Sequence, residues 1–281
     1  MNLLEAIKYI ILGIVQGITE VLPISSSGHV ELAKALFNMQ EDKALLFLIL
    51  VNTGSLVTLT TIYFKRLVKM VCDFFVYVFR PSKREERASG FLFAVQMMIA
   101  TIPIALVGFI FKSKIEALVQ SYGVLVAGLG LLLTGTVLVL FTTRKIRRGY
   151  TGINYADAVL VGMAQAVALL PGVSRSGMTA STAIFRGMGI DSALNFSFML
   201  YIPASIGSII LYAKDAFSEG LGVMESSQIF YYVLAFFAAM VSTYIAYKFV
   251  FNIFRSGKIR YFGYYCIIIA LFAIGVGLVQ F

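Results

Sequence analysis

Two short polar segments of the chain hold the side chains that are best suited to chemistry. The first contains Gln16, Glu20 and the run Ser25-Ser26-Ser27-Gly28-His29. The second contains Pro171-Gly172, Ser174-Arg175-Ser176 and Thr179. Hydroxyl, carboxylate, imidazole and guanidinium groups together can support nucleophilic transfer: one hydroxyl attacks, a base takes its proton, and the cation stabilises the developing charge. The two segments are therefore candidates for one site that acts on an anionic centre.

In each segment the serines follow a helix breaker and precede a new apolar run, which is the pattern of a helix N-terminus. A helix N-terminus presents free backbone N–H groups and a partial positive charge to an anion. The planar guanidinium of Arg175 matches phosphate oxygens. Pairing with Glu20 to hold the two segments together is the structural alternative for Arg175, and the two roles are compatible.

Glu20 and His29 are the candidate acid–base groups. Gln16 and Glu20 are four residues apart, so they share one face of a helix. A carboxylate in this apolar setting needs a partner, a metal or a functional use. His29 is the only histidine in the chain, and a hydrogen-bonded core histidine is its alternative interpretation. Spacing does not distinguish an acyl from a phosphoryl centre, although the absence of a G-x-S-x-G elbow weakens the acyl reading.

The composition indicates that these segments lie in a membrane. Hydrophobic residues make up 59% of the 281 residues and charged residues 13%, whereas a soluble domain carries about 25% charged residues. The net charge of +9 comes from basic residues in short links between apolar stretches, as the positive-inside rule predicts. Membrane lipids, and not nucleic acid, are therefore the expected neighbours of the basic residues.

Six apolar stretches are long enough to cross a bilayer, which takes about 20 residues. They are residues 44–64, 92–111, 122–142, 194–213, 229–251 and 260–280. Two further regions, 3–37 and 156–190, are interrupted midway by the polar segments. We predict that each forms two half-length helices of a re-entrant hairpin, and a kinked span is the alternative. The expected fold is an all-α polytopic membrane protein with six transmembrane helices and two re-entrant hairpins.

The interrupted regions also resemble each other. A shift of 149 residues aligns Gly13 with Gly162, Gln16 with Gln165, and the serines and glycine of the two breaks. Three predicted spans separate the copies, and an odd number inverts the second copy relative to the first. We therefore predict a single membrane domain, 1–281, with inverted-topology repeats at about 1–142 and 150–281. Such repeats place their binding site near the bilayer midplane.

The motifs resemble those of the undecaprenyl-diphosphate phosphatase family of bacteria, also called the bacitracin-resistance protein family. The (Glu/Gln)-x-x-x-Glu motif of that family reads here as Gln16-Gly17-Ile18-Thr19-Glu20, and the family's Pro-Gly-x-Ser-Arg-Ser-x-x-Thr motif ends here at Thr179. Length and hydropathy match over essentially the whole chain. Members often carry glutamate where this chain has Gln16, so Glu20 must supply any carboxylate chemistry and Gln16 can only support it.

The resemblance implies hydrolysis of undecaprenyl diphosphate to the monophosphate, which recycles the lipid carrier of cell-wall synthesis at the outer face of the plasma membrane. It also implies a divalent cation, Mg2+ or Ca2+, for which Glu20 is the candidate ligand. Our hypothesis is that Ser26 attacks the terminal phosphorus with help from His29, or that His29 itself attacks. The residues expected to bind the phosphates are Ser25, Ser27, Ser174, Arg175, Ser176 and Thr179.

An inverted-repeat transporter or flippase for a lipid phosphate or another anion is the main alternative, because broken helices are typical of alternating access. A structural scaffold would leave the intramembrane arginine, glutamate and histidine unexplained. The sequence does not fix the oligomeric state, so a homo-oligomer remains open.

The basic links predict the orientation of the chain. Links 65–91, 143–155 and 252–259 share one face if both interrupted regions enter and leave on the same side, and their lysines and arginines make that face cytoplasmic. Both termini are then outside. A compartment-sensitive reporter fused to the C-terminus should give an external signal, and a cytoplasmic signal would contradict the predicted topology.

Overall fold

The computed structural model describes residues 2–39, 44–142, 153–218 and 226–279. Within these residues the chain forms nine α-helices, a short 3-10 helix at Pro81–Lys83 and no strand. The helices are α1 (Leu3–Val21), α2 (Ser26–Leu36), α3 (Ala44–Phe79), α4 (Arg84–Thr142), α5 (Tyr155–Val167), α6 (Arg175–Phe185), α7 (Ile190–Ser218), α8 (Ser226–Arg255) and α9 (Ile259–Val279). Most of the basic link predicted at 143–155 lies outside the described residues.

Five helices, α3, α4, α7, α8 and α9, are long and apolar enough to cross a membrane. The chain is therefore a multi-pass membrane protein, and the prediction of an all-α polytopic fold is confirmed. Helix α4 has 59 residues, about twice what a bilayer needs even for a tilted span. It contains two of the six predicted spans and leaves helical geometry only at Tyr122 (φ −141°, ψ 26°).

The residues between those two predicted spans, 112–121, are helical. They contain neither proline nor glycine, and their lysine, glutamate, alanine, leucine and glutamine residues favour a helix. The backbone departs from helical geometry at Tyr122, where the second predicted span begins, so the helix of the first span continues beyond its apolar stretch. Hydropathy does not predict that continuation, because it reports the solvent around the chain and not the backbone conformation.

Both interrupted regions consist of two helices and a non-helical break. In the first region α1 ends at Val21, and Leu22, which precedes Pro23, is extended (φ −73°, ψ 148°), as the residue before a proline usually is. In the second region the break contains Gly172 with φ +81°, a conformation that glycine adopts without strain. At 19 residues, α1 is longer than the half-length helix predicted, since no breaker precedes Pro23.

The first helix of each interrupted region packs on a long span through small residues. A side-chain carbon added at Gly13 of α1 would meet the backbone of Ala235 in α8, and one added at Gly162 of α5 would meet the backbone of Ala100 in α4. These two glycines are matching positions of the predicted repeat. Close backbone approach without side chains is typical of helix packing in membranes. The repeat boundaries themselves remain a prediction.

Substituting either glycine by alanine should therefore destabilise the protein. The added methyl group meets a backbone carbonyl in a neighbouring helix, so the helices must separate, at a cost of about 1–3 kcal/mol. Thermal denaturation in detergent should show a lower midpoint for Gly13→Ala and Gly162→Ala. Gly275→Ala is the control, because nothing lies within 4 Å of a carbon added there. Equal midpoints for all three variants would contradict the packing described.

Candidate active site

The two breaks contact each other directly, and serine hydroxyls make the contact. The backbone N–H of Gly172 donates to Ser27 Oγ at 3.1 Å. In the opposite direction, Ser176 Oγ donates to the carbonyl oxygen of Leu22 at 3.2 Å. Each break thus satisfies backbone groups of the other that no helix can satisfy, as non-helical backbone at membrane depth requires.

The helix that follows each break begins with the same cap. Ser25 Oγ accepts from the N–H of Gly28 at 3.2 Å, and Ser174 Oγ accepts from the N–H of Gly177 at 3.1 Å. Both serines are the N-cap residues of their helices, α2 and α6. The positive ends of two helices therefore meet where the breaks meet, an arrangement suited to an anion.

Helix α4 packs against the second break and bonds to its backbone. Thr134, which is 1% exposed, accepts from the N–H of Ser174 at 2.9 Å and donates to the carbonyl oxygen of Gly172 at 3.2 Å. A side-chain carbon at Gly130, one turn earlier, would meet the backbone of Pro171 and Gly172. This close support fixes the backbone that carries Arg175.

Glu20 is the centre of the hydrogen-bonded group. Its Oε2 accepts from Ser26 Oγ at 2.6 Å and from Gln16 Nε2 at 2.8 Å. Its Oε1 accepts from Arg175 Nη2 at 3.0 Å. The Glu20 side chain is 6% exposed and the Arg175 side chain 18%, so the two charges neutralise each other away from water, as buried charges must.

Arg175 is held on three sides. Besides Glu20, it donates from Nη1 to Ser205 Oγ at 3.0 Å, and its Cζ atom lies 4.2 Å from the centroid of the Tyr201 ring. Ser205 and Tyr201 belong to α7. Arginine has five N–H donors in a fixed plane, and only two of its donors are used by these partners, so donors remain for a substrate anion.

The structure places Ser26 beside Glu20 and orients His29 elsewhere. His29 Nδ1 lies 2.8 Å from the carbonyl oxygen of Ser25, which can only accept, so Nδ1 carries the proton. Nε2 lies 2.9 Å from the hydroxyl of Tyr265 in α9, on which the imidazole ring stacks at 5.5 Å. The base within reach of Ser26 is thus Glu20. The His29 ring is bonded to Ser25 and Tyr265, so this arrangement does not show the predicted assistance of His29 to Ser26.

Thr179 is the most buried of the predicted site residues. It is 0% exposed, and its hydroxyl is 2.6 Å from Ser197 Oγ and donates to the carbonyl oxygen of Arg175 at 2.8 Å. Thr179 therefore braces the turn that carries Arg175 against α7. The structure brings Gln16, Glu20, Ser26 and Arg175 into one group, with Ser25, Ser27, Ser174 and Ser176 around it.

Sequence reasoning does not find Tyr201, Ser205 or Tyr265. All three lie in apolar spans, where tyrosine and serine are common, and none belongs to a motif. One signal is available in the sequence: Tyr201 and Ser205 are polar residues four positions apart in α7, so they lie on one face of that helix.

A divalent cation at this site would have one protein carboxylate, Glu20, as a ligand. Among the described residues no group of three or more histidine, cysteine, aspartate or glutamate side chains is placed to hold a metal ion, and Glu20 is the carboxylate of the site. Mg2+ is commonly bound by one or two protein carboxylates plus water and substrate phosphate oxygens. Glu20 with neighbouring serine hydroxyls fits that donor set.

The chain is similar to known proteins over nearly its whole length. The family model described as bacitracin resistance protein BacA matches residues 9–272. The chain is 39% identical over 274 residues to the undecaprenyl-diphosphatase of Oceanobacillus iheyensis, covering 96% of each protein. It is 39% identical to undecaprenyl-diphosphatase 3 of Bacillus anthracis, covering 94% of this chain and 95% of that protein. The undecaprenyl-diphosphatase of Carboxydothermus hydrogenoformans is 37% identical and covers 93% of this chain.

Proposed function

This chain belongs to the bacitracin resistance protein family, and on that premise we propose that it hydrolyses undecaprenyl diphosphate to undecaprenyl phosphate and inorganic phosphate. It is then a lipid diphosphate phosphatase that recycles the lipid carrier for cell-wall polymer synthesis. The observation that carries the proposal is the chain of contacts from Ser26 through Glu20 to Arg175, which joins a nucleophile, a base and an anion-binding group. The resemblance inferred from the two motifs is confirmed.

The diphosphate binds between the two breaks. Arg175 keeps N–H donors beyond those used by Glu20 and Ser205, and its planar fork can take two phosphate oxygens. The starts of α2 and α6 adjoin the two breaks, which contact each other, and the backbone N–H groups at a helix start favour an anion. The hydroxyls of Ser25, Ser27, Ser174 and Ser176 border that region, and Ser176 would have to release the carbonyl oxygen of Leu22 to donate to a phosphate. Thr179 acts through the turn that it braces.

Ser26 attacks the terminal phosphorus. Glu20 Oε2 accepts the hydroxyl proton, a bond forms between Oγ and phosphorus, and the bond from phosphorus to the bridging oxygen breaks, which releases undecaprenyl phosphate. Water then attacks the phosphoserine, the bond from phosphorus to Oγ breaks, the proton on Glu20 returns to Oγ, and inorganic phosphate leaves as dihydrogen phosphate with both protons of the water. Gln16 orients the Glu20 carboxylate through its 2.8 Å hydrogen bond.

His29 is the second candidate nucleophile. Because Nδ1 carries the proton, the lone pair lies on Nε2, and that nitrogen would form a phosphohistidine. Attack by Nε2 requires it to leave the hydroxyl of Tyr265, whereas Ser26 already donates to its base. The geometry therefore favours Ser26.

A divalent cation, Mg2+ or Ca2+, is part of the proposal. Glu20 and the serine hydroxyls next to it would hold it together with the diphosphate. The cation would neutralise charge on the phosphate oxygens and so favour attack by an anion or a hydroxyl.

We place the protein in the bacterial plasma membrane, with both termini outside and the site opening toward the outer face. The basic links support this orientation through the positive-inside rule. Among the described residues, Lys65, Arg66, Lys69, Arg80, Lys83, Arg84 and Arg87 cluster at the end of α3 and the start of α4.

The proposal predicts that the purified protein in detergent releases inorganic phosphate from undecaprenyl diphosphate. Glu20→Ala and Arg175→Ala should each lower kcat at least about 100-fold, because one removes the base and the other the cation that stabilises developing charge. Arg255→Ala is the matched control, since Arg255 pairs with Asp191 in an exposed ion pair outside the site. Its rate should equal that of the unmodified protein.

Several outcomes would contradict the proposal. Phosphate release that persists in both site variants overturns the site, and an unmodified protein that releases none but moves the lipid across vesicles favours the transporter. A chelator should abolish release, and added Mg2+ or Ca2+ should restore it. Release that is unaffected by the chelator overturns the role of the cation alone.

A further inference from the structure

A buried tyrosine lies against the face of the Arg175 guanidinium. Tyr201 is 4% exposed, and Arg175 Cζ lies 4.2 Å from its ring centroid. The N–H groups of a guanidinium lie in its plane, so an aromatic ring against its face leaves them available as donors. The stacking therefore restrains Arg175 and leaves its donors free for Glu20, Ser205 and a phosphate.

The ring is itself held from the other half of the molecule. The hydroxyl of Tyr201 donates to Asn52 Oδ1 at 3.1 Å, with the carbonyl oxygen of Asn52 at 3.3 Å. Asn52 belongs to α3 and Tyr201 to α7. The two residues are 149 positions apart, the shift that also aligns the two breaks. If the predicted repeat relates the two halves by an axis, residues at matching positions can touch only close to that axis, as Asn52 and Tyr201 would.

Helix α7 presents two groups to the guanidinium from one face. Ser205 is four residues after Tyr201, so the two side chains are one turn apart on α7. Arg175 Cζ lies over the Tyr201 ring, and the Ser205 hydroxyl accepts from Nη1 at 3.0 Å. Together with Glu20 Oε1 on Nη2, these contacts restrain the position of the planar group.

We propose that Tyr201 and Asn52 are positioning residues of the active site: Asn52 fixes the Tyr201 ring, and the ring fixes the guanidinium of Arg175 for the substrate phosphates. This inference rests on the proposed function, because it takes Arg175 as the phosphate-binding group. It requires that the effect of Tyr201 on catalysis pass through Arg175.

The test is a double-mutant cycle between Tyr201 and Arg175. Tyr201→Leu removes the aromatic face and should lower kcat/KM about tenfold, as expected for a desolvated cation–π contact. Arg175→Lys keeps a positive charge but has no planar group to align. In that background the same Tyr201→Leu change should lower kcat/KM less than about twofold, because the coupled partner is already lost.

Tyr63→Leu is the matched control. Tyr63 is 1% exposed, carries Arg66 Cζ 5.7 Å from its ring centroid, and donates to Asn195 Oδ1 at 2.8 Å, but it lies outside the site. Its substitution should lower the denaturation midpoint without changing kcat/KM of the folded protein in either background. An effect of Tyr201→Leu that is equally large in both backgrounds indicates a merely structural role and overturns the inference.

Milder variants keep the proposal testable if Tyr201→Leu does not fold. Tyr201→Phe and Asn52→Ala each remove the contact between the ring hydroxyl and Asn52, and each should lower kcat/KM about two- to fivefold. The double variant should lose no more than either single variant. If the losses of kcat/KM in the two single variants multiply in the double variant, Asn52 does not act through Tyr201 and that part of the proposal is overturned. Full activity in Arg175→Ala would overturn the role of Arg175, whereas an unmodified protein that releases no phosphate would overturn the proposed function itself.

Discussion

The buried ion pair between Glu20 and Arg175 is the interaction on which the rest of the structure depends. Taking a carboxylate and a guanidinium out of water costs several kcal/mol for each ion, and the pair compensates this only if both groups are held in place. Glu20 stands at the end of α1 and Arg175 at the start of α6. Their contact, 3.0 Å between Oε1 and Nη2, therefore requires the two breaks to meet, which the serines, the glycines and Thr134 make possible.

The site is asymmetric within a matching framework. The shift of 149 residues that pairs the capping serines also pairs Ser26 with Arg175 and Glu20 with Leu169. The proposed nucleophile and the proposed anion-binding group thus occupy equivalent positions after the two caps, and both contact the single carboxylate of Glu20. Gln16 donates to Glu20. Its counterpart Gln165 has Leu169 in the place of Glu20, and the buried Gln165 side chain has no hydrogen-bond partner within the described part of the chain.

The sequence predicts the spans, the breaks and the helix starts because each depends on local chemistry: apolar length, proline and glycine, and serine caps. It also predicts the pairing of Glu20 with Arg175, since intramembrane charges need partners. It does not predict that α4 continues through 112–121, or that His29 turns to Tyr265. The roles of Tyr201, Ser205 and Asn52 also escape it, because they arise from contacts between helices that are distant in the chain.

The proposed mechanism requires Ser26 to take the phosphoryl group, with Glu20 accepting the proton of its hydroxyl. The decisive measurement is rapid quenching of the enzyme during turnover of substrate labelled at the terminal phosphate, followed by mapping of the labelled peptide. We predict an acid-stable phosphoserine at Ser26, absent in Ser26→Ala. An acid-labile phosphate at His29, or full turnover in Ser26→Ala, would contradict the account.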